Sequence, residues 1–395
     1  MARLARAGGD ARPGGRLTDV LSTRASVEQL LERRTSANER FFAAEAGRIA
    51  DLCRLLAERF LAGGRLLACG ASPHDRSDAR HVAVEFVHPV IVGKRALPAI
   101  CLGPGELGLL AETADAVIVF GDEPAVALVR ARGCLTIGFA AGDAEWVFEP
   151  PSDDPFVAQE LVETLYHVLW ELVHVFLDQA GRAGRDGGAS SFLYPFLSGE
   201  QRDVADVVDD VRSSVLMKAE EIGALRATTL RENAGGLERA AEALRERLDA
   251  GGTLHAFGNG GSATDAMDVV ADFRAAPQGW PGRRCLDLTD DPAILTALAN
   301  DIGPAALYAR QLIAFGRVGD VALALSTSGG SANVIEALAE ARRRGLATIA
   351  LVGYDGGQIA SEHLADHVIV VRSEHIPRIQ EAQATVYHVL RELVG

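Results

Sequence analysis

Short apolar runs alternate with longer amphipathic segments along most of the chain. Runs of this length, rich in Val, Ile, Leu and Ala, are typical of buried strands, and the segments between them have helical periodicity. This alternation predicts parallel sheets that are covered on both faces by helices. The predicted strands lie near 65–69, 97–101, 116–120, 134–139 and 145–148 in the first half, and near 253–257, 284–288, 321–325, 347–352 and 367–371 in the second.

The two halves repeat one another in three blocks that occur in the same order. The matched blocks are AGGRLLACG (62–70) with AGGTLHAFG (250–258), DARHVAVEF (78–86) with DAMDVVADF (265–273), and QELVETLYHVLWELV (159–173) with QEAQATVYHVLRELV (380–394). Such a repeat indicates a tandem duplication. We therefore predict an α/β protein of two three-layer αβα domains, each with a five-stranded parallel sheet. The predicted divisions are a flexible tail at 1–24, a first domain at 25–178, a linker at 179–200 and a second domain at 201–395.

Composition narrows the class of protein and its partners. The chain has 395 residues, of which 48% are hydrophobic and 24% charged, so two globular cores are expected. A net charge of −15 argues against nucleic acid and anionic membranes as partners. The five cysteines are scattered without a CxxC pair, which is typical of a reducing compartment. Because no apolar run approaches the length of a membrane span, we expect a cytoplasmic protein.

Two loops rich in Ser and Gly follow predicted strands of the second half. One is LSTSGGSAN at 325–333, and the other is GNGGSATD at 258–265. Each lies between a strand and a helix, where backbone N–H groups and the helix dipole favour an anion. The pair predicts a phosphorylated ligand, although ordinary strand-to-helix turns can have the same composition.

On these loops the second half resembles the sugar isomerase (SIS) domain, and within that family the phosphoheptose isomerases. The matching segments are GNGGSATDAM (258–267), ALANDIG (297–303), GDVALALSTSGGSANVIEAL (319–338), LVGYDGG (351–357) and RIQEAQATVYH (378–388). The resemblance implies interconversion of sedoheptulose 7-phosphate and a heptose 7-phosphate in the cytoplasm. It also implies a bound zinc ion and a tetramer with active sites at subunit interfaces.

The resemblance assigns substrate contacts to residues of the second half. These are Asn259, Gly260, Gly261, Ser262, Asp272, Asn300, Asp301, Ser326, Thr327, Ser328, Ser331 and Gln380. Gln380 and His388 match two of the four metal ligands of the family. The family has His and Glu one helical turn apart after the first glycine loop, but here Asp268 and Asp272 take those positions. A set of aspartates, glutamine and histidine favours a harder ion than zinc.

The first half keeps the ligand residues that the second half has lost. His81 and Glu85 are spaced i, i+4 and match the family's His and Glu, and Gln159 and His167 match its Gln and His. This resemblance assigns a metal, zinc or another divalent ion, to these four residues. The phosphate loops, in contrast, are lost. GASPHDRS stands at 70–77 and FGDEPA at 120–125, with Asp122 and Glu123 where a phosphate needs donors.

The first half thus keeps the metal-ligand residues, and the second half keeps the phosphate loops. We therefore predict one composite site that uses residues of both halves. His81 and Glu85 could be completed by Gln159 and His167 or by Gln380 and His388. We expect Glu85 to be the base of an enediol mechanism, with His167 or His388 as its acid partner. Two alternatives remain: a site of the second half that uses its aspartates, or a first half that is only a scaffold.

The predicted partner is a phosphorylated sugar, specifically a heptose phosphate. We expect the chain to form a homodimer, so that four SIS domains reproduce the family tetramer. Two other functions stay open, a non-catalytic sugar-phosphate-binding or partner-binding protein and another SIS activity such as amino-sugar phosphate isomerisation or a lyase reaction.

Overall fold

The computed structural model describes residues 15–89, 94–103, 105–121, 124–140, 142–180, 203–275 and 279–395, with side chains from Val27 onward. Most of the predicted linker and the first fourteen residues of the predicted tail lie outside these ranges, as do Asp122 and Glu123. The first helix begins at Gly15, so the end of the predicted tail is helical. Among the described residues, no helix carries an apolar stretch long enough to cross a bilayer.

In its described residues, the first half has five strands and five helices. In chain order they are α1 (Gly15–Leu61), β1 (Leu66–Gly70), α2 (Pro73–Val87), β2 (Ala99–Leu102), α3 (Leu107–Leu110), β3 (Ala116–Phe120), α4 (Val126–Ala131), β4 (Leu135–Gly138), β5 (Trp146–Val147) and α5 (Pro155–Ala180). The strands form one parallel sheet in the order β2-β1-β3-β4-β5. Strands β1 and β3 are buried along their whole length, as expected for a sheet covered on both faces.

The second half repeats this arrangement. Its elements are α6 (Val204–Asp249), β6 (Leu254–Phe257), α7 (Gly261–Arg274), β7 (Cys285–Asp287), α8 (Pro292–Asp301), α9 (Leu307–Phe315), β8 (Val321–Ser326), α10 (Ala332–Arg343), β9 (Ala347–Val352), α11 (Gly357–Ser361), β10 (His367–Val370) and α12 (Ile376–Val394), with a short 3-10 turn at Pro304–Ala306. The sheet order is β10-β9-β8-β6-β7, which is the topology of the first sheet. The predicted fold class is confirmed, and the strands lie within two residues of their predicted positions.

The long helices α1 and α6 interlock the two halves. Val27 and Leu31, near the start of α1, pack in the core of the second sheet. In return, Val207 and Val211 of α6 pack in the core of the first sheet. Because each half contributes apolar side chains to the core of the other, their relative position is fixed by burial and not by a linker.

Candidate active site

The two Ser- and Gly-rich loops lie side by side at one edge of the second sheet. They follow β6 and β8, which are hydrogen-bonded neighbours in parallel register. The chain order reverses between these two strands, since β7 lies beyond β6 and β9 lies beyond β8. The crevice at the carboxyl ends of such strands is where open α/β sheets bind ligands.

Side-chain hydrogen bonds join the two loops. Asn259 Nδ2 donates to Asn333 Oδ1 at 2.9 Å, and Asn333 Nδ2 donates back to Asn259 Oδ1 at 2.8 Å. Within the second loop, Ser326 Oγ accepts from the N–H of Gly329 and Ser328 Oγ accepts from the N–H of Gly330, both at 3.2 Å. Each hydroxyl that accepts from the backbone keeps its own proton to donate.

Two helix N-termini begin at these loops. Gly261 is the first residue of α7, with Ser262 buried beside it, and Ser331 precedes the first residue of α10. Neither N-cap residue, Gly260 or Ser331, makes a side-chain hydrogen bond to the first turn of its helix. The free N–H groups and the helix dipoles therefore make this crevice suitable for an anion.

Asn300 and Asp301 lie apart from these hydrogen bonds. They end helix α8, both side chains are exposed, and Asn300 Nδ2 donates to Asp301 Oδ1 at 2.7 Å. Their predicted contact with substrate stays a prediction.

Helices α2 and α7, which follow the first strand of each half, pack against one another. This contact brings residues of both halves into a buried group that we call the first cluster: His81, Glu85, Glu163, His167 and Gln380. His81 Nε2 lies 3.3 Å from His167 Nε2 and 3.2 Å from Gln380 Nε2. A Cβ on Gly261 would lie 3.0 Å from His81 Nε2 and would overlap Gln380. The glycine loop of the second half therefore touches the imidazole of the first.

Carboxylates hold the other nitrogen of each imidazole in the first cluster. His167 Nδ1 lies 3.1 Å from Glu381 Oε1, and His81 Nδ1 lies 3.5 Å from Asp265 Oδ1. An imidazole that donates from Nδ1 to a carboxylate keeps its Nε2 lone pair free. The two Nε2 lone pairs thus face the same small volume, where that of His81 accepts a hydrogen bond from the Gln380 amide as it is oriented in this structure.

Burial keeps these imidazoles neutral. It lowers the pKa of His167 to about 3, with a further contribution from the positive charge of Arg378. Burial also lowers the pKa of His81 well below its usual range, and His167 adds to the effect. For Glu85, burial and the charge of Glu171 raise the pKa to about 8. A carboxyl with a pKa near the working pH suits a general base.

The donor atoms of the first cluster fit a divalent transition metal. Ligand atoms of His81, Glu163 and His167 all lie within 4.8 Å of one another. Two imidazole nitrogens at about 2.0–2.1 Å from one tetrahedral ion would be ~3.3 Å apart, which matches the observed 3.3 Å between the two Nε2 atoms. Rotating the Gln380 amide, whose Oε1 has no hydrogen-bond partner among the described residues, turns an oxygen ligand toward His81.

A second cluster occupies the equivalent position on the other half and consists of His74, Gln159, Asp268, Asp272 and His388. His388 Nε2 lies 3.4 Å from Asp272 Oδ2, and its Nδ1 lies 3.0 Å from Glu160 Oε1. His74 Nε2 lies 3.0 Å from Asp272 Oδ1. A cavity of about 320 Å³ borders this cluster and is lined in part by aromatic side chains.

The histidines of the second cluster are charged. Burial alone would lower the pKa of His388, but hydrogen bonds to Asp268 and Glu160 raise it to about 10. For His74, burial lowers the pKa, but the hydrogen bond to Asp272 and the negative charges of Asp268, Asp272 and Asp78 together raise it to about 9. Each imidazolium neutralises carboxylates that would otherwise attract a metal ion.

The structure pairs the predicted ligands differently from either of the two predicted sets. Gln380 of the second half and His167 of the first half contact His81. Gln159 instead donates to Asp78 Oδ1 at 3.0 Å, and His388 lies in the second cluster. Gln380, and not Gln159, therefore lies beside His81, and the assignment of Gln159 to a metal stays a prediction. Each C-terminal helix crosses between the clusters, so its Gln and His serve different ones.

Sequence reasoning missed several residues of the two clusters. Glu163 is one turn from both Gln159 and His167, and this i, i+4 spacing could have indicated it. Glu381 and Asp265 act through the Nδ1 atoms of the histidines, which a linear motif does not reveal. His74 lies inside the segment that we interpreted only as a lost phosphate loop.

The fold and the crevice define a class of protein. The family model described as SIS domain matches residues 219–353, which include both Ser- and Gly-rich loops. A solved structure of the C-terminal domain of glucosamine-fructose-6-phosphate aminotransferase from Francisella tularensis aligns with 93% of this chain and 94% of its own, with a TM-score of 0.58 and 10% identity. At that identity the likeness concerns the fold, which extends over both halves.

Closer relatives narrow the class. Phosphoheptose isomerase from Thermodesulfovibrio yellowstonii is 38% identical over 186 residues, covering 47% of this chain and 92% of that protein. Phosphoheptose isomerase from Geobacter sulfurreducens is 40% identical over 192 residues, covering 48% of this chain and 97% of that protein. The chain therefore belongs to the SIS-domain family and, within it, to the phosphoheptose isomerase group.

Proposed function

We propose that the chain is an aldose–ketose isomerase that converts sedoheptulose 7-phosphate to D-glycero-D-manno-heptose 7-phosphate at one composite site. The observation that carries this proposal is the contact of Gly261 with His81 and Gln380. It joins the anion-binding crevice of the second half to the buried imidazoles of the first. The relatives named phosphoheptose isomerase support the choice of substrate.

The crevice holds the phosphate of the sugar. Ser326, Thr327, Ser328 and Ser331 donate hydroxyl protons, and the N-termini of α7 and α10 supply N–H groups. Phosphate binding far from the reacting carbons positions C1 and C2 near Gly261 and the first cluster. With a net charge of −15, the protein relies on these local donors and not on a basic surface.

Glu85 is the base of the proposed reaction. It removes a proton from C1 of the ketose to give an enediolate, the proton of the O1 hydroxyl moves to O2, and the resulting carboxylic acid of Glu85 returns its proton to C2. A pKa of about 8 lets the same group accept and release a proton near neutral pH. His167 is a poor proton donor, because its pKa of about 3 leaves Nε2 unprotonated and its Nδ1 faces Glu381. We therefore propose that His167 is a metal ligand and not, as predicted from the sequence, the acid partner of Glu85.

We propose that His81, His167 and Gln380 hold a zinc ion. When bound, the metal supplies a Lewis acid for the oxygens of C1 and C2. The buried carboxylates Glu381 and Asp265 fix the two imidazoles in the tautomer that leaves Nε2 free. The surrounding apolar core excludes bulk water from the enediol.

We also propose that the protein is cytoplasmic and forms a homodimer. Two chains would bring together four SIS domains. Light scattering coupled to gel filtration tests the dimer, and the mass of a single chain would contradict it.

The test of the activity is a ketose-to-aldose assay with sedoheptulose 7-phosphate, with and without chelator. We expect Glu85→Gln and Ser328→Ala to lose turnover, the first through kcat by about 1,000-fold and the second mainly through KM by about 10-fold. Asp272→Asn, the matched change at the position equivalent to Glu85, leaves turnover within a few-fold. Full activity of Glu85→Gln would remove the first half from the chemistry. Turnover of fructose 6-phosphate in place of the heptulose would contradict the proposed substrate.

A further inference from the structure

Glu163 is the buried side chain of the first cluster that the proposed mechanism does not use. It lies on α5 one turn before His167 and is fully buried. Neither carboxylate oxygen has a hydrogen-bond partner among the described residues. A buried carboxylate without a partner is costly, so its position requires an explanation.

Negative charges around Glu163 increase the free-energy cost of burying its carboxylate. Asp265 and Glu381 act on it with charge of the same sign. Both of these carboxylates have partners of their own, the Nδ1 atoms of His81 and His167. Glu163 has no such partner, although one of its oxygens lies within 4.8 Å of a nitrogen of each imidazole.

A divalent cation at the convergence of the two Nε2 atoms would satisfy Glu163. One Glu163 oxygen and one nitrogen of each imidazole lie within 4.8 Å of one another, so small side-chain rotations bring all three onto one ion. Two neutral imidazoles and one carboxylate are a common set of protein ligands for a catalytic zinc ion. The equivalent position of the second half is Ala384, and the second cluster has paired, charged histidines instead.

We propose that Glu163 is a metal ligand in this chain and that it leaves Glu85 free to act as the base. This inference rests on the proposed function, because it divides two tasks of the isomerase between two carboxylates. Glu85 Oε1 lies 3.9 Å from His81 Nε2, and its Oε2 has no hydrogen-bond partner in the described part of the chain. A carboxylate bound to a metal is a weaker base than a free one, so a separate ligand removes the conflict between the two roles.

The experiment measures zinc binding and turnover separately. The full chain is stripped with chelator and titrated with Zn²⁺ in competition with a chromophoric chelator. Turnover of sedoheptulose 7-phosphate is then measured on the reconstituted protein. The variants are Glu163→Gln, Glu163→Ala, which copies the second half, and Glu85→Gln. Asp268→Asn is the matched control, a buried carboxylate of the second cluster.

We expect Glu163→Gln and Glu163→Ala to weaken zinc binding by about 100-fold or more. Glu85→Gln should bind zinc within about 3-fold of the parent and lose turnover, and Asp268→Asn should keep its zinc affinity. Zinc should raise the melting temperature of the parent and of Glu85→Gln, but not that of Glu163→Gln at the same concentration. The Co²⁺-substituted protein adds a second readout, because loss of a carboxylate ligand changes its visible absorption.

Two results would overturn the ligand assignment. One is unchanged zinc affinity in both Glu163 variants, and the other is loss of zinc in Glu85→Gln with no loss in Glu163→Gln. A parent protein that binds zinc through Glu163 but does not turn over the heptulose phosphate would refute the proposed function and support the ligand assignment. Zinc affinity therefore tests the assignment of Glu163 as a ligand, and turnover tests the proposed isomerase function.

Discussion

The first and second clusters descend from the same residues, yet their histidines are in opposite states. His167 lies between Glu381 and His81 and stays neutral. His388 lies between Glu160 and the aspartates and is charged. The difference follows from the residue on the neighbouring helix, which is His81 in one half and Asp268 in the other. Beside the neutral imidazole of His81, His167 stays neutral and keeps a lone pair that can bind a metal. Beside the carboxylate of Asp268, His388 is protonated and forms an ion pair.

The largest expected effect comes from making the first cluster resemble the second. In His81→Asp, the new carboxylate faces His167 and should raise its pKa, so that the imidazole becomes charged. We expect turnover of sedoheptulose 7-phosphate to fall by about 1,000-fold or more and zinc binding to be lost. NMR titration of the His167 ring checks the change of charge.

The control for this change is Asp268→Asn, which alters the equivalent position of the second cluster. It should keep turnover within a few-fold. If His81→Asp remained active, the distinction between the two clusters would have no catalytic meaning.

The next effect tests the contact between the two halves of the site. In Gly261→Ala the added methyl group would meet Gln380 and His81, which are both buried and have little room to move. A displacement of about 1 Å in an active site can cost about 100-fold in rate, and we expect a loss of that order in kcat/KM. Steady-state kinetics at saturating zinc gives the measurement.

Gly47→Ala is the control for Gly261→Ala. Gly47 lies inside α1, and a Cβ there would have no atom within 4 Å. Removing a helical glycine should stabilise the fold by about 0.5–1 kcal/mol without changing turnover. Equal losses of activity in both variants would show that the effect at Gly261 is not local.

A third effect concerns the stability that the second cluster provides. His388→Gln removes a buried imidazolium from Glu160 and the aspartates, and we expect the free energy of unfolding near pH 6 to fall by about 2–4 kcal/mol. Zinc affinity should remain, because His388 does not contact His81 in the described structure. Urea unfolding followed by circular dichroism measures the change.

The effect of His388→Gln should depend on pH in a defined direction. The folded pKa of His388 is raised to about 10, above the value of about 6.5 expected in the unfolded chain. Its contribution is therefore complete below about pH 6.5 and declines as the pH rises toward 10. The stability difference between the parent and His388→Gln should shrink over that interval. A difference that grew with pH would mean that His388 is neutral in the folded protein.

The fold was predictable because its signals are local. Apolar runs such as Val321–Leu325 mark strands wherever they pair, and the three repeated blocks indicate that one topology occurs twice. The Ser-rich loops were also predictable, since a strand followed directly by a helix places them at the sheet edge.

The grouping of the site residues was not predictable from the same signals. Gln159 and His167 lie eight residues apart on one helix, yet they serve different clusters because α5 crosses between α2 and α7. That crossing depends on how two domains pack, and sequence spacing carries no information about it. Glu163 was recognisable by spacing on the helix, but its significance depends on its position beside His81 and His167, which only the fold determines.

The smallest expected effect is the loss of stability on removing an exposed ion pair between the two halves, and it tests whether exposed contacts matter less than buried ones. Arg80, next to His81 in sequence, forms an ion pair with Asp290 of the second half at 2.9 Å, and both side chains are largely exposed. Exposed pairs of this kind contribute little, because water and salt screen them and the side chains lose freedom. Arg80→Ala should therefore change the free energy of unfolding by less than about 0.5 kcal/mol and leave zinc affinity unchanged. A loss above about 1 kcal/mol in urea unfolding would mean that surface charges, and not the interlocked helices and buried clusters, hold the two halves in register.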